Sequence, residues 1–135
     1  MNRSLEYARA MLAKAREDQR IVEALAGQAG IPAWGVGFHA QQAVEKSLKA
    51  VLSSRSIHHP RTHDLALLLD LLREARVALP PDADILPSLT PFAVEQRYPL
   101  DVPEPPKTDL GPECLSRMIQ RMLDWAEDAC KEAGP

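Results

Sequence analysis

Apolar residues recur at Leu5, Ala8, Leu12, Ala15, Val22 and Leu25, the three-and-four spacing of one helix face, and Gly27, Gly30 and Pro32 end the run. A second periodic run, Val36, Ala40, Val44, Leu48 and Val51, predicts a helix from about Ala33 to Arg55. Gly35 and Gly37 near its start lower helix propensity by ~1 kcal/mol each against Ala, but they allow a neighbouring backbone to come close. Pro60 breaks the chain, Thr62 reads as an N-cap, and Leu65, Leu68, Leu69 and Leu72 predict a third helix that ends before Pro80-Pro81. Thr90-Pro91 has the form of a cap followed by proline at the first helical position, which predicts a short fourth helix carrying Arg97 and Tyr98. The proline-rich stretch PLDVPEPPKTD predicts an extended surface loop. Beyond it, Leu115, Met118, Met122, Trp125 and Ala129 form the stripe of a fifth helix.

No alternating strand pattern, internal repeat or Gly-rich phosphate loop interrupts this series. The fold class it predicts is all-α: a five-helix antiparallel up-and-down bundle with a core like that of a four-helix bundle.

With 135 residues the chain has the length of one domain, and residues 1–135 read as a single unit. Hydrophobic residues at 45% suffice for a core, and charged residues at 26% fit an ordered chain rather than a disordered one. No stretch approaches the ~18 apolar residues of a membrane span, and the charged start MNRSLEYARAMLAKAREDQR lacks the apolar run of a signal peptide. A cytoplasmic chain with no membrane association is expected. Cys114 and Cys130 fall on one predicted helix, roughly 24 Å apart at 1.5 Å per residue, so they do not pair with each other.

The net charge of -3 argues against indiscriminate binding to nucleic acid over the whole surface. Its distribution is uneven, because from Lys46 to His63 there are four basic residues (Lys46, Lys49, Arg55 and Arg61), three histidines and no acid. On the second helix His39, Gln42, Lys46 and Lys49 fall within an arc of roughly 80°, with Glu45 at its margin. The plain alternative is a solvated face on which Glu45 and Lys49 form an i,i+4 pair worth ~0.3–0.5 kcal/mol. Trp34, Phe38 and Trp125 read as core or interface residues, and His58 and His59 before Pro60 as loop residues. No Cys lies near the histidines and no H-E-x-x-H spacing occurs, so no metal or other cofactor is expected.

FHAQQAVEKSLKAVL, followed after a short turn by RTHDLALLLDLL and further on by RYP, resembles the HEPN domain family over about residues 5 to 130. The resemblance implies a helical bundle that forms homodimers and is often encoded beside a minimal nucleotidyltransferase. It implies two kinds of function: metal-independent ribonuclease members carry an arginine followed, after four to six residues, by a histidine, whereas other members bind nucleotides or partners. None of the four histidines here, His39, His58, His59 and His63, has an arginine at that spacing before it. The expected function is therefore a non-catalytic module that binds nucleotide or RNA phosphate, acting with a nucleotidyltransferase partner in a toxin–antitoxin-like pair. A divergent ribonuclease is the alternative. In the fold the resemblance implies, His39, Gln42, Lys46, Lys49, Arg61, His63, Arg97 and Tyr98 face one cleft as an anion site.

Overall fold

The computed structural model describes residues 3–94 and 110–133. Its central element is α2 (Ala33–Ser54), which touches every other helix. The apolar residues predicted to face inward, Val36, Ala40, Val44, Leu48 and Val51, are all buried, and so are Ala43, Ala50 and Leu52 on its flanks. A helix covered on several sides has little solvent-facing surface, so its polar residues must find partners inside the protein.

One wall of the bundle is α1 (Arg3–Ala26), which buries Ala8, Leu12, Ala15, Asp18 and Val22 and reaches α2 through a turn containing Gly30 at φ 80. A second wall is α4 (Pro112–Ala133), packed on both α1 and α2 through Leu115, Met118, Ile119, Met122, Leu123, Ala126 and Ala129. Trp125, part of the predicted stripe, is half-buried, and its indole N–H donates to the Ala78 carbonyl at 3.1 Å, tying α4 to the segment after α3.

The third helix, α3 (Leu65–Glu74), buries Leu65, Leu68, Leu69 and Leu72 as its spacing predicts. Its cap is Asp64 rather than Thr62: the Asp64 carboxylate accepts from the Leu67 N–H at 3.3 Å, while the Thr62 hydroxyl accepts from the Asp64 N–H at 3.0 Å. Both α2 and α3 end in the same way. Ile57 N–H reaches Leu52 O and Ser56 N–H reaches Ser53 O, and Val77 and Arg76 repeat the pattern on Leu72 and Arg73. These are Schellman ends, and the left-handed position glycine usually takes is held by Ser56 (φ 56) and Arg76 (φ 59).

The fourth helical segment starts earlier than predicted and is a 3-10 helix, Leu86–Val94, with Pro91 inside it. Leu86, Leu89 and Phe92 are fully buried. Their uniform spacing of three places them on one side of a helix with three residues per turn. Phe92 lies over Gly37, where a Cβ would collide with its ring; Gly35 has nothing comparable near it. The close approach at α2 is thus made by a side chain at one glycine, not by a backbone at two. Arg97, Tyr98 and the PLDVPEPPKTD stretch lie outside the described residues. No helix among the described residues is long and apolar enough to cross a membrane.

Candidate phosphate-binding site

Two carboxylates, each 5% exposed, organise the polar side of α2. Asp18 comes from α1 and meets His39 Nδ1 at 3.0 Å through one oxygen and Lys46 Nζ at 2.6 Å through the other. Glu45 lies on α2 itself. Its Oε1 accepts from Gln41 at 2.8 Å and from His63 Nδ1 at 2.7 Å, and its Oε2 accepts from Lys49 Nζ at 2.9 Å. Gln42 donates to Gln41 Oε1 at 2.6 Å, so one chain of hydrogen bonds runs from Gln42 to the turn before α3.

Burial raises the Glu45 pKa, yet the hydrogen bonds from Gln41, Lys49 and His63, together with the Lys49 charge, outweigh it and hold the group below the ordinary glutamate value. A carboxylate can only accept, so the Nδ1 of each paired histidine carries the proton and Nε2 is left available. Each lysine gives one of its three N–H donors to a carboxylate. The acids therefore fix the rotamers of Lys46 and Lys49 while offsetting part of their charge, which makes the face an array of oriented donors more than a strongly positive patch.

Of the residues the sequence singled out, His39, Gln42, Lys46, Lys49 and His63 belong to this hydrogen-bonded assembly. Arg61 is exposed and makes no ion pair among the described residues. Glu45 is not at the margin but at the centre, and its pair with Lys49 forms inside the protein, with the lysine side chain only 12% exposed. Asp18 and Gln41 were not anticipated. Asp18 had one sequence signal, since the apolar stripe of α1 jumps seven positions from Ala15 to Val22 and Asp18 occupies the missing rung. Arg97 and Tyr98, the remaining candidates, fall outside the described residues.

His58 and His59 do not join this assembly. They line a separate cleft of about 500 Å³ with Arg3, Tyr7 and Ser53. Among the described residues no three His, Cys, Asp or Glu side chains converge as a metal site requires. Cys130 is half-buried, and burial pushes its thiol pKa up, the direction opposite to that of a reactive thiolate.

A family model described as HEPN domain matches residues 8–129. No curated protein and no solved structure matches the chain.

Proposed function

We propose that this chain, which belongs to the HEPN domain family, is a non-catalytic module that binds nucleotide or RNA phosphate through the polar face of α2. A nucleotide- or RNA-related role is general to that family. The observation that carries the finer statement is that Lys46 and Lys49 are each held by a buried carboxylate with N–H donors to spare, that Arg61, two residues before His63, makes no ion pair among the described residues, and that the Nδ1 contacts of His39 and His63 leave Nε2 available. Preorganised donors lose little freedom when an anion arrives. A cytoplasmic homodimer that acts with a minimal nucleotidyltransferase in a toxin–antitoxin-like pair completes the proposal. Family membership, not a contact within this chain, supports those assignments, and light scattering together with co-purification of the two proteins tests them.

The binding test is a titration of mixed nucleotides and short single-stranded RNA into the wild type, Lys46→Gln and Arg61→Gln. Charge-assisted contacts of ~1.5–3 kcal/mol give losses of about tenfold or more, and binding weakens with salt. Lys46→Glu is a poorer probe, because it sets a second carboxylate against Asp18 and mixes instability with lost binding. Equal affinities for all three proteins would mean that the α2 hydrogen-bond assembly holds the fold together and binds no anion.

The two carboxylate-held histidines favour one second reading, a divergent ribonuclease with His39 and His63 as acid and base. Its test is cleavage of unstructured RNA in EDTA. The binding module shows none, whereas the enzyme shows activity that vanishes in His63→Gln with the melting temperature nearly unchanged.

A further inference from the structure

A cleft of about 550 Å³ follows the seam where the first turns of α1 lie against the last turns of α4. Its floor is apolar, with Leu5, Ala8 and Leu12 from α1 and Cys130 from α4. On α1 these residues span seven positions, about 10 Å at 1.5 Å per residue. Ala8 and Leu12 are buried, whereas Leu5 and Cys130 are half-buried and keep accessible surface. Burial is the main influence on the Cys130 thiol, whose pKa it raises, as a floor poor in water does.

Three cations and one acid border this floor. The acid is already engaged, since Glu127 accepts from Arg16 in an ion pair that spans the two helices. Arg9 of α1 and Lys131 of α4 are exposed and make no ion pair among the described residues. The lining thus joins a dry strip to positive charge that it does not itself compensate, a combination complementary to an amphiphile with an anionic head and an apolar body. A docked helix is too broad for it: two turns at 10–12 Å diameter fill roughly 800 Å³ or more. An alkyl chain is slimmer and can lie along the strip. Two cations, one from each helix, match the two oxygens of a carboxylate.

We infer that the α1–α4 cleft binds a medium-chain alkyl carboxylate free in solution, with its chain over Leu5, Ala8, Leu12 and Cys130 and its head group at Arg9 and Lys131. The site lies apart from the polar face of α2 and shares no residue with it.

The experiment is calorimetric titration of the full chain with hexanoate, octanoate, decanoate, octan-1-ol and octylammonium. Affinity rises about threefold or more with each two methylenes added, and the alcohol and the ammonium bind at least about fivefold more weakly than octanoate. Arg9→Gln and Lys131→Gln, both at exposed positions that the fold tolerates, each weaken decanoate by about threefold or more. Arg20→Gln, an equal loss of charge on α1 outside the cleft, stays within about twofold. The two thiols supply an internal control. Decanoate slows maleimide modification of Cys130 by about threefold or more and leaves Cys114, roughly 24 Å away along α4, unchanged. The site is refuted by no decanoate binding at millimolar concentration, by affinity independent of chain length, or by equal protection of both cysteines, which is detergent-like coating. Sedimentation with anionic vesicles that Arg9→Gln abolishes would make the cleft a membrane contact instead. A smaller assembly in Arg9→Gln without decanoate binding to the wild type would mean that a second copy covers it.

Discussion

His63, in the turn before α3, places Nδ1 2.7 Å from Oε1 of Glu45, eighteen positions earlier on α2. The contact joins an exposed ring, 61% accessible, to a carboxylate that is only 6% accessible. It therefore fixes the turn to the central helix and sets the direction in which Nε2 points.

The first prediction concerns acid stability. The folded-state pKa of Glu45 lies below the ordinary value of 4.5, so the stability it contributes is present above about pH 4.5 and is lost as the pH falls through the lower folded value. Glu45→Gln keeps the shape and removes the charge. At pH 7 the variant is less stable by about 1–3 kcal/mol, and the gap to the wild type narrows below pH 4.5. Urea midpoints measured from pH 7 to pH 3 check this; parallel curves for the two proteins would contradict it.

Asp18 and Lys46 form the second coupled pair, with side chains 8% and 22% accessible. Asp18→Asn leaves a largely buried ammonium without its counter-charge and is expected to cost about 2 kcal/mol. Since Lys46→Met removes the need for that charge, the double variant recovers at least about 1 kcal/mol relative to the sum of the single changes. Additivity within about 0.5 kcal/mol in a denaturation cycle would mean that the pair is effectively solvated.

The apolar periodicities of α1, α2, α3 and α4 disclosed the bundle because each helix keeps one spacing over several turns, as Val36 to Val51 does. The site was legible only in part. The arc from His39 to Lys49 identified one polar face, but an acid on another helix does not enter a single-helix projection, and so the face looked more basic than it is. The Glu45 position misled for a related reason: α2 is buried over most of its circumference, and a residue at the edge of an arc can still be inside the protein. The 3-10 helix was hidden by Pro91, which looked like a helix start, although the interval of three between Leu86, Leu89 and Phe92 marks its periodicity. The stops at Ser56 and Arg76 carried no glycine to announce them.

Gly37 supplies a prediction in which two effects have opposite signs. On propensity alone, Gly37→Ala in the first turns of α2 would stabilise by up to ~1 kcal/mol. The added methyl meets the ring of Phe92, which is fully buried. Overpacking of this kind costs about 1–3 kcal/mol and is expected to win, giving a net loss. Gly35→Ala, with nothing within 4 Å, is the matched control and is expected to be neutral or stabilising. Thermal melts of the two variants decide the matter, and equal midpoints would mean that Phe92 moves aside freely.

Arg76 gives the converse case, a position where glycine is expected to improve the protein. Its φ of 59 lies in the left-handed region, where the Cβ of an L-residue crowds the backbone and costs roughly 1–2 kcal/mol. The arginine side chain gives up little in exchange, since it is exposed and makes no ion pair among the described residues. Both backbone bonds of the Schellman end, from Arg76 N–H to Arg73 O at 3.0 Å and from Val77 N–H to Leu72 O at 3.0 Å, are available to glycine as well. Glycine also adds freedom to the unfolded chain, which takes back part of the gain. Arg76→Gly is accordingly expected to stabilise by about 0.5–1 kcal/mol, a rise of roughly 2–5 °C in melting temperature for a chain of this size. Arg76→Ala, which keeps the Cβ and loses the charge, separates the backbone effect from the side chain: it should leave the melting temperature close to that of the wild type. A comparable rise in both variants would trace the gain to the lost charge, and a fall in Arg76→Gly would show that the arginine side chain holds this turn.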